Sequence, residues 1–141
     1  MNDKKFNIGK SDIVLTVVSA LFFIGTLSFI APCGPKDDGS WMSCHWAGQA
    51  LKGVAFVLLV ISVIHMFASD IKIKQGLDFS MIPTAILAAV LPGFMINLCM
   101  MNTMRCHSVT RIGAIIFAAA LIIIAVFDSV LQNNRTKHRA A

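Results

Sequence analysis

Two short segments of this chain carry the same group of soft ligands. Met42-Ser43-Cys44-His45 and Met104-Arg105-Cys106-His107 both read Met-x-Cys-His, 62 residues apart. Each follows a further cysteine, Cys33 or Cys99, and precedes a base, Lys52 or Arg111. Thiolate, imidazole and thioether together suit soft metals: copper(I) most naturally, zinc in a two-Cys, two-His arrangement, or haem held by His and Met. The candidate metal ligands are therefore Met42, Cys44, His45, Met104, Cys106 and His107. Neighbouring residues on a helix point about 100° apart, so an adjacent Cys-His pair is poorly placed to grip one ion. Each copy would supply one residue of its pair, and the site would need both copies.

The thiols have a simpler use. Outside the cytoplasm an even number of cysteines is expected to pair, and Cys33–Cys44 and Cys99–Cys106 would each close a short loop. Cross-pairing stays open, because four cysteines allow three connectivities. Disulfides rank first for the thiols and metal or haem second, yet disulfides leave the adjoining His and Met unexplained. Thiol exchange is the third use: two outer cysteine pairs on four membrane helices are similar to quinone-linked thiol oxidases. Their hallmark is Cys-x-x-Cys, whose close spacing tunes thiol acidity and exchange. Here ten and six residues intervene. A redox enzyme is thus the runner-up, and no catalytic residue is assigned.

The elements that must position these residues follow from composition. The chain has 141 residues, 57% hydrophobic and 13% charged, with a mean hydropathy of +0.77. A soluble domain is about 45–50% apolar and about 25% charged. A soluble enzyme, a disordered binder and a water-soluble bundle are therefore excluded. Crossing about 30 Å of hydrocarbon takes roughly 20 apolar residues, and four segments qualify: 13–31, 47–68, 81–101 and 112–131. Isolated strands cannot satisfy their backbone groups in lipid. The expected fold is all-α, a four-helix transmembrane bundle in a single integral membrane domain, 1–141. Pro92-Gly93 is expected to kink the third helix, and Gly48, Gly53 and Gly113 to allow close helix contact. A cleaved signal ending near Cys33 competes for the N-terminus; the long apolar run and Pro32 before the cysteine favour an uncleaved first helix.

Basic residues orient such a bundle. The N-terminal arm, the 69–80 loop and the tail hold eight Lys and Arg, against Lys36, Arg105, Arg111 and the helix-end Lys52 on the other side. The expectation is a multi-pass protein of the cytoplasmic membrane with both termini in the cytoplasm. All four cysteines, with His45 and His107, then gather at the extracytoplasmic surface. The net charge of +5 is split among short segments, which marks topology rather than nucleic-acid binding. The expected partners are the bilayer and either another membrane protein or a second copy. Both Met-x-Cys-His segments open a helix returning to the cytoplasm, as in two parallel-repeat helical hairpins about an axis along the membrane normal.

Trp41 and Trp46 flank the first segment and suit interface anchoring. His65 and Asp128 form an intramembrane polar pair, each about one turn from the cytoplasmic end of its helix. Ionisable groups at membrane depth are functional candidates. This pair is shallow enough to reach interfacial water, so a structural hydrogen bond is its expected role. A proton relay would need more such residues, and the chain has no glutamate.

The stretch Met42-Ser43-Cys44-His45-Trp46-Ala47-Gly48-Gln49-Ala50, with Leu91-Pro92-Gly93 and the block from Cys99 to Arg111, is similar to the signature of an uncharacterised bacterial family. That family is domain of unknown function four-four-one-eight, and the resemblance runs from the first apolar segment to the fourth. It implies a small four-helix membrane protein without an assigned activity, often encoded beside ABC transporters with large extracytoplasmic permease domains. The reading that joins residues and resemblance is a non-catalytic accessory subunit of an ABC-type transport system. Its Cys/His/Met cluster forms disulfides or binds a soft metal or haem. The alternative is a quinone-linked membrane thiol-disulfide oxidoreductase.

Overall fold

In the computed structural model of the chain, α1 (Lys10–Leu27), α2 (Ser43–Phe67), α3 (Ile71–Val90) and α4 (Ile112–Ala140) pack side by side, and a π-helical segment, Cys106–Arg111, leads into α4. The structure describes residues 9–28, 30, 37–41, 43–97 and 106–140, the side chains of 106–107 and 135–140 excepted. Among the described residues there is no strand, only an isolated bridge between Pro92 and Ile96.

Each helix turns inward a stripe whose members step by three or four residues, the spacing of one helical face. On α1 the stripe runs Leu15, Ser19, Phe22; on α2 Leu51, Ala55, Leu58, Ser62; on α3 Met81, Ala85, Ala88; on α4 Ala114, Ala118, Leu121, Ala125. Large and small side chains alternate along the stripes of α1 and α2, while those of α3 and α4 are mostly alanine, so neighbouring helices come close. In lipid this contact is driven by close packing rather than by escape from water. Phe22, fully buried, stacks on Phe117 at 5.3 Å. The opposite faces are apolar too. Val17, Leu21, Phe56, Ile64, Ile116 and Phe127 are each about half exposed, a surface that fits acyl chains.

The ends of α1 are set by specific bonds. Gly9 N–H donates to Asp12 Oδ2 at 2.9 Å, which closes the first turn and starts the helix ahead of the apolar run. At the far end Ile30 N–H reaches back to Gly25 O at 2.7 Å, while the Thr110 hydroxyl donates to Ile30 O at 3.2 Å. The Ile30 side chain fills the space beside two glycines: a Cβ added at Gly113 would stand 3.2 Å from Ile30 Cδ1, and one at Gly25 3.3 Å. Ile30 thus ties the end of α1 to the start of α4. Gly53 differs from expectation, since a Cβ there meets nothing within 4 Å.

The third helix departs most from the sequence reading. It spans Ile71–Val90 instead of 81–101. Its buried positions Lys74, Asp78, Met81, Ala85 and Ala88 keep helical spacing straight through the expected loop. Pro92, which lacks an N–H, and Gly93, with φ near 100°, end the helix rather than kink it. The chain then turns, with Met95 N–H on Val90 O and Ile96 N–H on Leu91 O.

Among the described residues, three helical spans are long and apolar enough to cross a membrane: Lys10–Leu27, Ser43–Phe67 and Ser108–Asn134. Helix α3, as described, is not one of these three. Lys72, Lys74 and Asp78 occupy the opening turns of α3. Its charge-free remainder, 79–90, covers about 18 Å at helical rise, well short of the roughly 30 Å hydrocarbon core.

Candidate functional site

Toward one end of the bundle the inner stripes stop being apolar. Asp12 ends the stripe of α1, His65 that of α2, Lys74 and Asp78 open that of α3, and Asp128 and Gln132 close that of α4. Consecutive helices run in opposite directions, so the start of α1, the end of α2, the start of α3 and the later part of α4 meet at one level. Five ionisable side chains, contributed by all four helices, are buried together there.

His65 stands at the centre, 1% exposed. Its Nε2 lies 3.1 Å from Asp78 Oδ1 and 3.4 Å from Asp128 Oδ2, and its Nδ1 lies 3.5 Å from Asp12 Oδ1. Two of the carboxylates are held from behind. Asp12 Oδ2 accepts Gly9 N–H and the Lys74 ammonium. Asp128 Oδ1 accepts the Ser11 hydroxyl, and its Oδ2 accepts the Gln132 side-chain amide, both at 2.7 Å. Asp78 has no such support. Neither of its oxygens, and neither ring nitrogen of His65, has a hydrogen-bond partner among the described residues. The imidazole and carboxylates are therefore close without an N–H aligned on an oxygen.

Burying a charge costs several kcal/mol per ion even after the protein relaxes. Opposite charges at the same depth offset that cost, and Lys74 does so for Asp12. Counted formally, with every carboxylate ionised and the imidazole neutral, three carboxylates against one ammonium give the centre a charge of −2. Asp12, His65 and Asp128 each present one ligand atom within 4.8 Å of the other two. Imidazole nitrogen with carboxylate oxygen is a donor set for divalent transition metals. An imidazole between carboxylates is also chemically able to pass a proton from one ring nitrogen's side to the other's.

The residues singled out from sequence fall into two groups. His65 and Asp128 are brought together, and their neighbourhood holds three further ionisable groups. Cys44 is buried in the first turn of α2. His45, next to it, lies on a different side: its ring is 4.0 Å from that of Trp41 and 5.9 Å from that of Trp46, with Gln49 Nε2 3.5 Å from its Nε2. Adjacent members of the Cys-His pair face different surroundings, as helical geometry requires. Cys33, Met42, Cys99 and Met104 lie outside the described residues, as do the side chains of Cys106 and His107.

Asp12, Lys74 and Asp78 are not among the residues that the sequence singles out. Asp12 sits one residue before the expected first span, and the other two fall in the expected 69–80 loop. The available signal was spacing: Asp12 is in step with Leu15 and Ser19, and Lys74 and Asp78 with Met81 and Ala85.

No curated protein and no solved structure matches the chain. The family model for Domain of unknown function (DUF4418) matches residues 15–131, which takes in α2 and α3, most of α1, and α4 through Leu131. The chain belongs to this family.

Proposed function

We propose that this membrane protein is a non-catalytic subunit of an ABC-type transport system, built around an ion-binding centre formed by Asp12, His65, Asp78 and Asp128. The observation that carries the reading is the convergence of buried ionisable groups from all four helices. Such groups inside membrane proteins mark ion paths and relays, because each is costly to bury and cheaper to dispense with. The apolar outer faces support a life in lipid or against another membrane protein. The transporter assignment draws its support from the family resemblance.

In this reading the bundle end carrying the centre faces the cytoplasm, as the distribution of Lys and Arg favours. The Met-x-Cys-His segments, arranged as parallel repeats, face the other side, where Cys33, Cys44, Cys99 and Cys106 form disulfides or bind copper(I), zinc or haem. The test is gentle extraction of the full chain from its native membrane, followed by size analysis and an ATPase assay. The expected result is a complex larger than the chain itself whose ATP hydrolysis changes when the chain carries Asp78→Asn. A chain that runs alone, with bound quinone and a reversible dithiol–disulfide couple, would instead be a quinone-linked thiol-disulfide oxidoreductase.

A further inference from the structure

We propose that the buried centre binds one divalent transition-metal ion, with Asp12, His65 and Asp128 as its ligands and Asp78 as a further carboxylate beside them. This rests on the reading that the centre takes up an ion, and it names the ion's class.

Separation of the donor atoms is the first argument. On the Nε2 side of the His65 ring the contacts are 3.1 Å to Asp78 and 3.4 Å to Asp128, whereas Asp12 stands 3.5 Å from Nδ1 and joins His65 and Asp128 within 4.8 Å. An ion with ligand bonds near 2.1 Å spaces its neighbouring ligands about 3.0 Å apart in an octahedron and about 3.4 Å apart in a tetrahedron. Bond direction is the second. Hydrogen bonds need an aligned N–H, whereas a metal ion needs only lone pairs pointing at a common centre. His65 and Asp78, each 1% exposed, meet without an aligned hydrogen bond. Two buried groups this close without an aligned hydrogen bond have lone pairs available to a cation.

Support from behind is the third argument. Metal-binding carboxylates are commonly fixed by outer hydrogen bonds. Asp12 is fixed by Gly9 N–H on Oδ2 and turns Oδ1 toward the imidazole, and Asp128 is fixed by Ser11 on Oδ1 and by Gln132 on the Oδ2 that faces the imidazole. Charge is the fourth. A formal charge of −2 with neutral imidazole is what a divalent cation cancels. Calcium and magnesium prefer sites made of oxygen alone, so the imidazole selects a transition metal. This site is not the soft-ligand cluster: Cys44 and His65 are 21 residues apart on α2, about 31 Å along the helix.

The experiment uses the full chain in detergent micelles, stripped with chelator and titrated first with cobalt(II) and then with zinc(II). One equivalent of cobalt is expected, with visible ligand-field absorption that zinc abolishes. His65→Gln and Asp128→Asn, checked for helix content and monodispersity, are expected to weaken binding at least about 100-fold, and Ser11→Ala about 10-fold. Lys74→Met removes a competing positive charge and is expected to tighten binding, an outcome that a purely structural ion pair does not produce. Folded protein that binds neither ion overturns the proposal. So does a sulfur-to-cobalt charge-transfer band, or cobalt affinity unchanged in the His65 and Asp128 variants. If neither ion binds while the chain still associates with a transport ATPase, only the metal is removed. If the ion binds at His65 and Asp128 while the chain runs alone, only the subunit role is removed.

Discussion

Replacing Asp12 by Asn isolates one charge in the buried centre. The amide oxygen of Asn still accepts Gly9 N–H, so the start of α1 keeps its closing bond. What changes is Lys74, which is 9% exposed and loses the carboxylate it contacts. Breaking a buried ion pair by removing one partner costs about 3–5 kcal/mol, because the other charge stays behind uncompensated. Adding Lys74→Met removes that orphan and fills its space with an apolar chain of similar length. Replacing both members of a buried pair with apolar or neutral groups is often nearly neutral. The double variant is therefore expected to recover most of the loss, a coupling of about 3 kcal/mol between the positions. The assay is reversible unfolding of the full chain in mixed micelles, followed by helical circular dichroism, with chelator present to keep ion binding out of the comparison. At about 1.4 kcal/mol per tenfold, Asp12→Asn should raise the unfolded-to-folded ratio more than 100-fold. A loss below about 1 kcal/mol would mean that Lys74 extends its charged end to water along its own stem. A double variant as unstable as the sum of the singles would show that the two groups do not act as a pair. Either result refutes the reasoning.

Other outcomes can be read from the packing. Ile30→Ala should destabilise the bundle by about 2–5 kcal/mol, seen as a lower melting temperature, because Ile30 joins the end of α1 to Gly113 on α4. Gly113→Val should cost about 1–3 kcal/mol by overpacking against Ile30, whereas Gly53→Ala, facing open space, should shift stability by under about 1 kcal/mol in either direction. Phe22→Ala should cost about 3–5 kcal/mol in the same unfolding assay, since a fully buried ring stacked on Phe117 is removed. Trp41→Ala should move the His45 ring-proton resonances downfield, because the indole now 4.0 Å from that ring would no longer shield it.

The sequence alone determined that this is a membrane protein, because so little charge is spread over so much apolar chain. It also determined α1, α2 and α4 to within a few residues at most of their ends, since a continuous apolar run in lipid can satisfy its backbone only as a helix. His65 and Asp128 were legible as well, being ionisable groups inside such runs. The third helix was not. Average hydropathy treats Lys74 and Asp78 as loop, although their spacing continues the stripe of Met81, Ala85 and Ala88.

Only the tertiary structure decided that Asp12, His65, Lys74, Asp78 and Asp128 form one centre. Residues 12, 65 and 128 lie more than 50 positions apart along the chain, and their meeting depends on the depth and rotation of each helix in the bundle. That arrangement is a property of packing among helices and leaves little trace in local periodicity. The charges themselves helped to choose it. A buried carboxylate is tolerable only where an opposite charge or a ligand stands at the same level, so the register that brings these ends together is the one in which their burial is least costly.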